Sequence, residues 1–192
     1  METFYFDHLP NDTIAVIFSK LDTTDTRDNF IRSFNSEELF TRSDIWKTIY
    51  HTSFPGIDLS LVVSIRYNVG YVYHLILYQN INSLYTGILH DLEYMKDSTF
   101  QSLYRYKVTS GMMNQIACRY HTELFTQVPT LKSFLSYSNH NYILKLQITA
   151  SKYFLYIRNN YITGEFKKES SRDEIITLLM YFRFNDFTFC SN

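Results

Sequence analysis

The sequence predicts an α+β protein, mostly helical, and three observations carry that expectation. Apolar residues recur at helical spacing from Ile14 to about residue 136, the period shifts to alternation beyond Asn141, and a helix-start signal returns at Ser171. The expected order is a three-helix N-terminal module, a further helical region, a small antiparallel sheet and a C-terminal helix. With 45% hydrophobic and only 19% charged residues, the chain can offset its ordering entropy by burial, which excludes a disordered polypeptide.

The first helix follows Leu9-Pro10. Ile14, Ile17, Phe18 and Leu21 fall at i, i+3, i+4 and i+7, Asn11 or Asp12 suits the positive helix start, and Pro10 is tolerated where a first-turn N–H lacks an acceptor. A polar break at Asp22-Thr23-Thr24-Asp25 precedes a second helix, capped by Thr24 or Asp25, with Phe30, Ile31 and Phe34 as its apolar residues. A third helix is expected from Ser43 to His51, with Ile45, Trp46, Ile49 and Tyr50 apolar, and Pro55-Gly56 stops it. From Leu59 onward, Val62, Ile65, Val69, Val72, Leu75 and Ile76 predict one long or broken helix. Within it, Tyr71 to Tyr78 reads equally as a strand. Leu84, Ile88, Leu92 and Met95 predict another helix, and Phe100–Val108 and Met112–Phe125 two more.

Alternation over Leu144 to Thr149 predicts a strand, and two more, Tyr153–Arg158 and Tyr161–Phe166, flank Asn159-Asn160, a pair that tolerates the positive φ of a tight hairpin. Ser171-x-x-Glu174 has capping-box form ahead of Ile175, Ile176, Leu178, Leu179 and Phe182. A helix of about three turns is expected to pack on the sheet.

At 192 residues, one domain or a small module plus a second domain is expected. Charge divides near residue 58: residues 1–58 carry five cations against ten acids, whereas residues 59–192 carry thirteen against nine. The expected boundary accordingly separates residues 1–58 from 59–192. The overall charge of −1 argues against a strongly electrostatic nucleic-acid binder, and no apolar run is long enough to span a membrane. Two cysteines form no disulfide framework, and residues 1–10 hold no signal core, so an intracellular, reducing location, cytoplasmic or nuclear, is expected.

No catalytic constellation is legible. The histidines show no His-x-x-x-His or His-Glu-x-x-His spacing, the five glycines are isolated, and no Gly-x-Ser-x-Gly elbow occurs. Cys118-x-x-His121 places a thiol and an imidazole on one helical face, but only Cys190 adds another thiol to the roughly four ligands a structural zinc needs. The His90-Asp91 neighbours point apart on a helix, and Lys167-Lys168 with Arg172 and Arg158 reads as a solvated edge. The tyrosines, Tyr67, Tyr71, Tyr73, Tyr78, Tyr104, Tyr106 and Tyr120 among them, read as packing at the rim of the core. Neither an enzyme, nor a metal site, nor a cofactor is expected.

Leu9-Pro10-Asn11-Asp12, then Ile17-Phe18 and Leu21-Asp22, then Ile45-Trp46 after a polar break, resemble an F-box over about residues 5–55. The chain departs from the family pattern in the second helix, where Thr26 and Arg32 stand near positions usually held by Leu and Val. The resemblance implies a three-helix module that docks on the small adaptor of a cullin-RING ubiquitin ligase through Leu9, Pro10, Ile14, Ile17, Phe18 and Leu21, with Trp46 as a structural brace. It further implies a non-catalytic substrate receptor whose residues 59–192 hold an unknown protein target, with neither nucleic acid nor membrane as partner. A viral or lineage-specific protein that commandeers a host ligase fits this reading. The alternative is a non-catalytic α+β interaction or structural protein whose N-terminal helices belong to a single core.

Overall fold

The structure is a computed structural model. It describes residues 9–33, 37–96, 102–108, 112, 116, 142–149, 152–159 and 165–185. The chain divides into two compact units, Met1–Ile57 with Ser64–Thr86 and Asp58–Val63 with Gly87–Asn192. The first therefore takes in more than the 1–58 module expected from charge.

In the first unit, α1 (Asn11–Ser19) starts at Pro10, whose carbonyl accepts from the Ile14 amide at 3.1 Å. α2 (Thr24–Arg32) is capped by Thr23, one residue earlier than expected, because the Thr23 hydroxyl takes the Thr26 amide while the Thr26 hydroxyl takes the Thr23 amide, each at 3.1 Å. A short 3-10 helix (Glu37–Thr41) leads into α3 (Ser43–Ser53), which packs against α1. The turn after α3 runs through Gly56, whose φ of 77° lies in the left-handed region that suits glycine. Ile14, Ala15, Phe18, Ile31, Phe40, Ile45, Trp46 and Ile49 are fully buried.

α4 (Leu59–Val62) is a single turn capped by Asp58, and α5 (Tyr71–Lys96) is one long helix whose first part belongs to the first unit and whose last part belongs to the second. Of the two possibilities at Val62 to Ile76, the broken helix is found: Val63 is extended (φ −150°, ψ 142°) and helix resumes only after Gly70. Tyr71 to Tyr78 is helix rather than strand, since His74, Leu75, Leu77, Tyr78 and Ile81 are buried together at spacings a helix brings to one side. The two helices expected on either side of residue 80 are continuous.

The second unit holds a four-stranded antiparallel meander, β1 (Ser102–Val108), β2 (Tyr142–Ile148), β3 (Tyr153–Asn159) and β4 (Glu165–Ser170), in the order β1-β2-β3-β4. The helix expected at Phe100–Val108 is a strand over its described part. Tyr104, Tyr106 and Val108 alternate at period two, and the whole segment pairs with β2, Val108 opposite Tyr142. The expected helix at Met112–Phe125 lies outside the described residues apart from Met112 and Ile116. The tight turn expected at Asn159-Asn160 lies partly outside the described residues; within them Asn159 is still strand, pairing with Tyr142, and Arg158 faces Glu165. Of the strand expected at Tyr161–Phe166, residues 161–164 lie outside the described residues, and Glu165 and Phe166 open β4.

The inner face of the sheet, Leu144, Leu146, Ile148, Leu155 and Ile157, is buried with α6 (Arg172–Phe184), which starts at the expected cap: the Ser171 hydroxyl accepts the Glu174 amide at 3.1 Å. Phe182 stacks on Tyr106 with centroids 4.0 Å apart and rings 11° from parallel. α6 is buried from Glu174 to Phe182, since α4 packs on it as well: the Thr177 hydroxyl accepts the Asp58 amide at 3.3 Å. A helix covered on two sides must be apolar nearly all round, as this one is.

Candidate functional site

The candidate site is built on α1. Its apolar residues divide between two environments. Ile14, Ala15 and Phe18 point into the core, whereas Val16 is 49% exposed, Pro10 is exposed, and Leu9, Ile17 and Leu21 are half-buried. On a helix, Pro10 and Ile17 are seven residues apart and lie along one flank. Of the docking residues expected from sequence, the structure thus leaves Leu9, Pro10, Ile17 and Leu21 at the surface. It moves Ile14 and Phe18 into the core, because α1 turns that side onto α3; neither offers area to a partner. Val16, not among the expected residues, is the most exposed apolar side chain of the helix.

Behind this face stands an aromatic cluster centred on Trp46, which is fully buried and donates its indole N–H to the Phe40 carbonyl at 2.7 Å. Phe18 meets Trp46 edge-on at 5.6 Å and Tyr78 edge-on at 5.0 Å, and His74 stacks on Trp46 at 4.7 Å. The α1 and α3 starts are tied by Asn11, whose amide donates to Asp44 at 3.0 Å. The Arg42 guanidinium hydrogen-bonds the same carboxylate and holds it below the usual range, although the pair is solvated and adds little stability.

Arg27 is the residue that sequence reasoning missed. It is 2% exposed, its guanidinium lies 4.8 Å from the Tyr78 ring centroid, and it donates to the Leu21 carbonyl and, at 2.8 Å, to the Gln79 side chain. It holds the corner at Leu21 where the candidate face ends. The one available signal is its place four residues before Ile31, on the buried side of α2.

His74 is buried between Trp46, Tyr50, Tyr67 and Tyr73. Tyr50 Oη lies 3.5 Å from Nδ1 and donates to the His74 carbonyl at 3.3 Å, while Nε2 has no hydrogen-bond partner. Burial pushes its pKa below the ordinary histidine value of 6.5, partly offset by the Tyr67 backbone. The folded state therefore favours the neutral ring. Its stabilising contribution is full above about pH 6.5 and is lost as pH falls below that value toward the folded-state pKa. Urea midpoints followed by the fluorescence of Trp46 should fall between pH 7.5 and 5.5 in the wild type and fall less in His74→Phe. Parallel profiles in the two proteins would remove His74 as the cause.

Other sequence candidates are not brought together. His51 and His90 are each exposed, and Asp91 accepts from Arg183 at 2.8 Å rather than serving His90. Lys168 is engaged by Glu174 at 3.2 Å, so the lysine pair is not a uniformly solvated edge. Cys118, His121 and Cys190 lie outside the described residues. Among the described residues no group of three or more His, Cys, Asp or Glu converges, and no helix is long and apolar enough to cross a membrane. Comparison of the chain with protein-family models, with curated proteins and with solved structures returns no match.

Proposed function

We propose that the first unit is an F-box-like docking module, and that the protein is a non-catalytic receptor bringing a protein target to a cullin-RING ubiquitin ligase. The observation that carries this reading is the division of α1: Pro10, Val16, Ile17 and the flanking Leu9 and Leu21 keep apolar surface, although Ile14 and Phe18 already fill the core. Full burial of each such side chain is worth up to about 1.5–3 kcal/mol, so a partner covering this face gains appreciably. Trp46 acts as a brace beneath it. The mechanism is proximity, since tethering a target beside the charged ubiquitin carrier raises its effective concentration without chemistry by this chain.

Co-purification of the full chain with the cullin-ligase adaptor tests it. Val16→Asp with Ile17→Lys, which leaves the buried Ile14 and Phe18 intact, should retain the fold by circular dichroism and abolish association. A folded wild type that shows no association at about 50 μM, roughly a −6 kcal/mol threshold, sinks the docking reading.

A second reading is favoured by a different observation. Phe18 and Arg27 pack on Tyr78, and Arg27 bonds Gln79, so the N-terminal helices share their core with residues well beyond an F-box-length module. On that reading the first unit is a private core in an interaction or structural protein, and the adaptor experiment is negative while the fold is intact.

A further inference from the structure

One face of α5 stays outside the core from Val72 to Tyr94. Val72 and Ile76 are 53% and 56% exposed, Tyr94 is 76% exposed, and Ser83, Gly87 and His90, set between them at helical spacing, are exposed as well. Helix geometry alone places them in one line, on the side away from Tyr78, which packs on Phe18. Single exposed apolar residues are ordinary on a protein surface, whereas apolar residues gathered on one face mark a contact. Of the large apolar side chains that stand exposed among the described residues, only Val16 lies off this line.

The composition of α5 points the same way. The solvent side of a helix is ordinarily rich in charged residues, yet from Tyr71 to His90 this one holds no Asp, Glu, Lys or Arg. Depletion of charge is what distinguishes the centre of a protein interface from the rest of a surface. A partner that recognises charge finds nothing here to read. Gly87 is a second sign. Glycine weakens a helix interior, and among the described residues, the helix's own turns aside, nothing lies within 4 Å of the point a Cβ at Gly87 would occupy, so packing within the chain does not call for it. Ser83 and Gly87, four residues apart, instead leave a low stretch of surface where another backbone can come close.

We propose that α5 pairs with α5 of a second copy of the chain, antiparallel, with Ser83 on the two-fold axis. The stripe is spaced alike in both directions from Ser83: Val72 and Tyr94 stand eleven residues to either side, and Ile76 and His90 seven. A two-fold contact needs a patch that complements itself. In this register Val72 meets the partner's Tyr94 and Ile76 the partner's His90, while the small Ser83 meets its own copy where the helices come nearest. Opposed macrodipoles favour the antiparallel sense over the parallel one. A strip about 33 Å long, with nearly a third of the helix circumference turned to the partner, covers roughly 450 Å² on each copy. The total of about 900 Å² lies at the small end for specific interfaces, so the dimer is expected to be weak and reversible. Adaptor docking uses α1 and is independent of this contact.

The test is sedimentation velocity of the full chain from about 1 to 100 μM. The weight-average mass should rise with concentration toward twice that of the monomer, with a midpoint in the tens of micromolar. Ile76→Lys, at an exposed position, should raise that midpoint about tenfold or more, whereas Val16→Asp with Ile17→Lys should leave it unchanged. Ser83→Arg and Ser83→Glu should each remain monomeric alone, since like charges meet on the axis, and an equal mixture of the two should associate. A wild type that is monomeric up to about 100 μM, an Ile76 variant that associates as the wild type does, an α1 variant that does not, or a mixture that stays monomeric would each overturn the proposal. Circular dichroism checks the fold of every variant. Should a Ser83 variant unfold, Ile76→Glu mixed with His90→Lys takes its place, because the register sets those two positions opposite each other. A mixture that then associates no better than either variant alone overturns the proposal.

Discussion

Replacing Trp46 by alanine is expected to lower the stability of the first unit by about 4 kcal/mol, the middle of the range for truncating a buried tryptophan. Trp46 is fully buried and meets Phe18, Phe40, Tyr50 and His74 at centroid distances of 4.7 to 6.2 Å, so its removal opens a cavity with four aromatic walls. The Phe40 carbonyl also loses the indole N–H, and the loss of a buried hydrogen bond adds about 0.5–1.5 kcal/mol. A unit of this size commonly holds roughly 4–12 kcal/mol in all, so the change removes a third of it at the least. Trp46→Phe keeps most of the apolar volume and loses only the indole donor, and should cost about 1–2 kcal/mol. Urea unfolding followed by far-UV circular dichroism compares the three proteins, since the chain has one tryptophan and the variants lose its fluorescence. An alanine variant within about 1 kcal/mol of the wild type would mean that the cluster collapses onto the gap and that Trp46 is not a brace.

The same cluster shows why part of the fold was legible and part was not. α1, α2 and α3 were readable because their signals are local: Pro10 ahead of Asn11, a threonine-rich break, and apolar residues at three- and four-residue spacing. α6 was readable for the same reason, through Ser171 and Glu174. β1 was misread because its aromatic and aliphatic residues satisfy a helical period as well as an alternating one. Its partner, β2, lies more than thirty residues later, so only non-local pairing decides. The site was half legible. An apolar stripe identifies α1 as amphipathic, but which flank is covered depends on where α3 lies, and that information is absent from the stripe. Hence Ile17 and Leu21 stay at the surface while Phe18, one residue from Ile17, sits against Trp46. Arg27 and His74 were invisible because a charged or titratable residue on a buried side breaks the pattern used to find that side.

Arg27 yields the second large effect. Its guanidinium is nearly inaccessible, yet among the described residues no carboxylate pairs with it. Its partners are the Leu21 carbonyl, the Gln79 amide oxygen and the faces of Tyr78 and Phe18, and its Nε has none. Two opposing terms meet here. Desolvating a cation costs several kcal/mol, and neutral acceptors with cation–π contacts return only part of it, the latter about 2 kcal/mol when desolvated. Arg27→Ala keeps none of the contacts and leaves a cavity between two rings, so a loss of about 2–4 kcal/mol is expected. Arg27→Met refills the space with a polarisable chain that stacks on aromatic rings, removes the buried charge, and leaves Gln79 half-exposed to water. It should lie within about 1 kcal/mol of the wild type or above it. Thermal and urea unfolding rank the three proteins. A methionine variant as unstable as the alanine one would show that hydrogen bonding at Leu21 outweighs desolvation, making Arg27 the clasp of the α1–α2 corner rather than a filler of volume. In that case Arg27→Lys, which keeps the charge but cannot span the Leu21 carbonyl and Gln79 with one planar fork, should fail to rescue it.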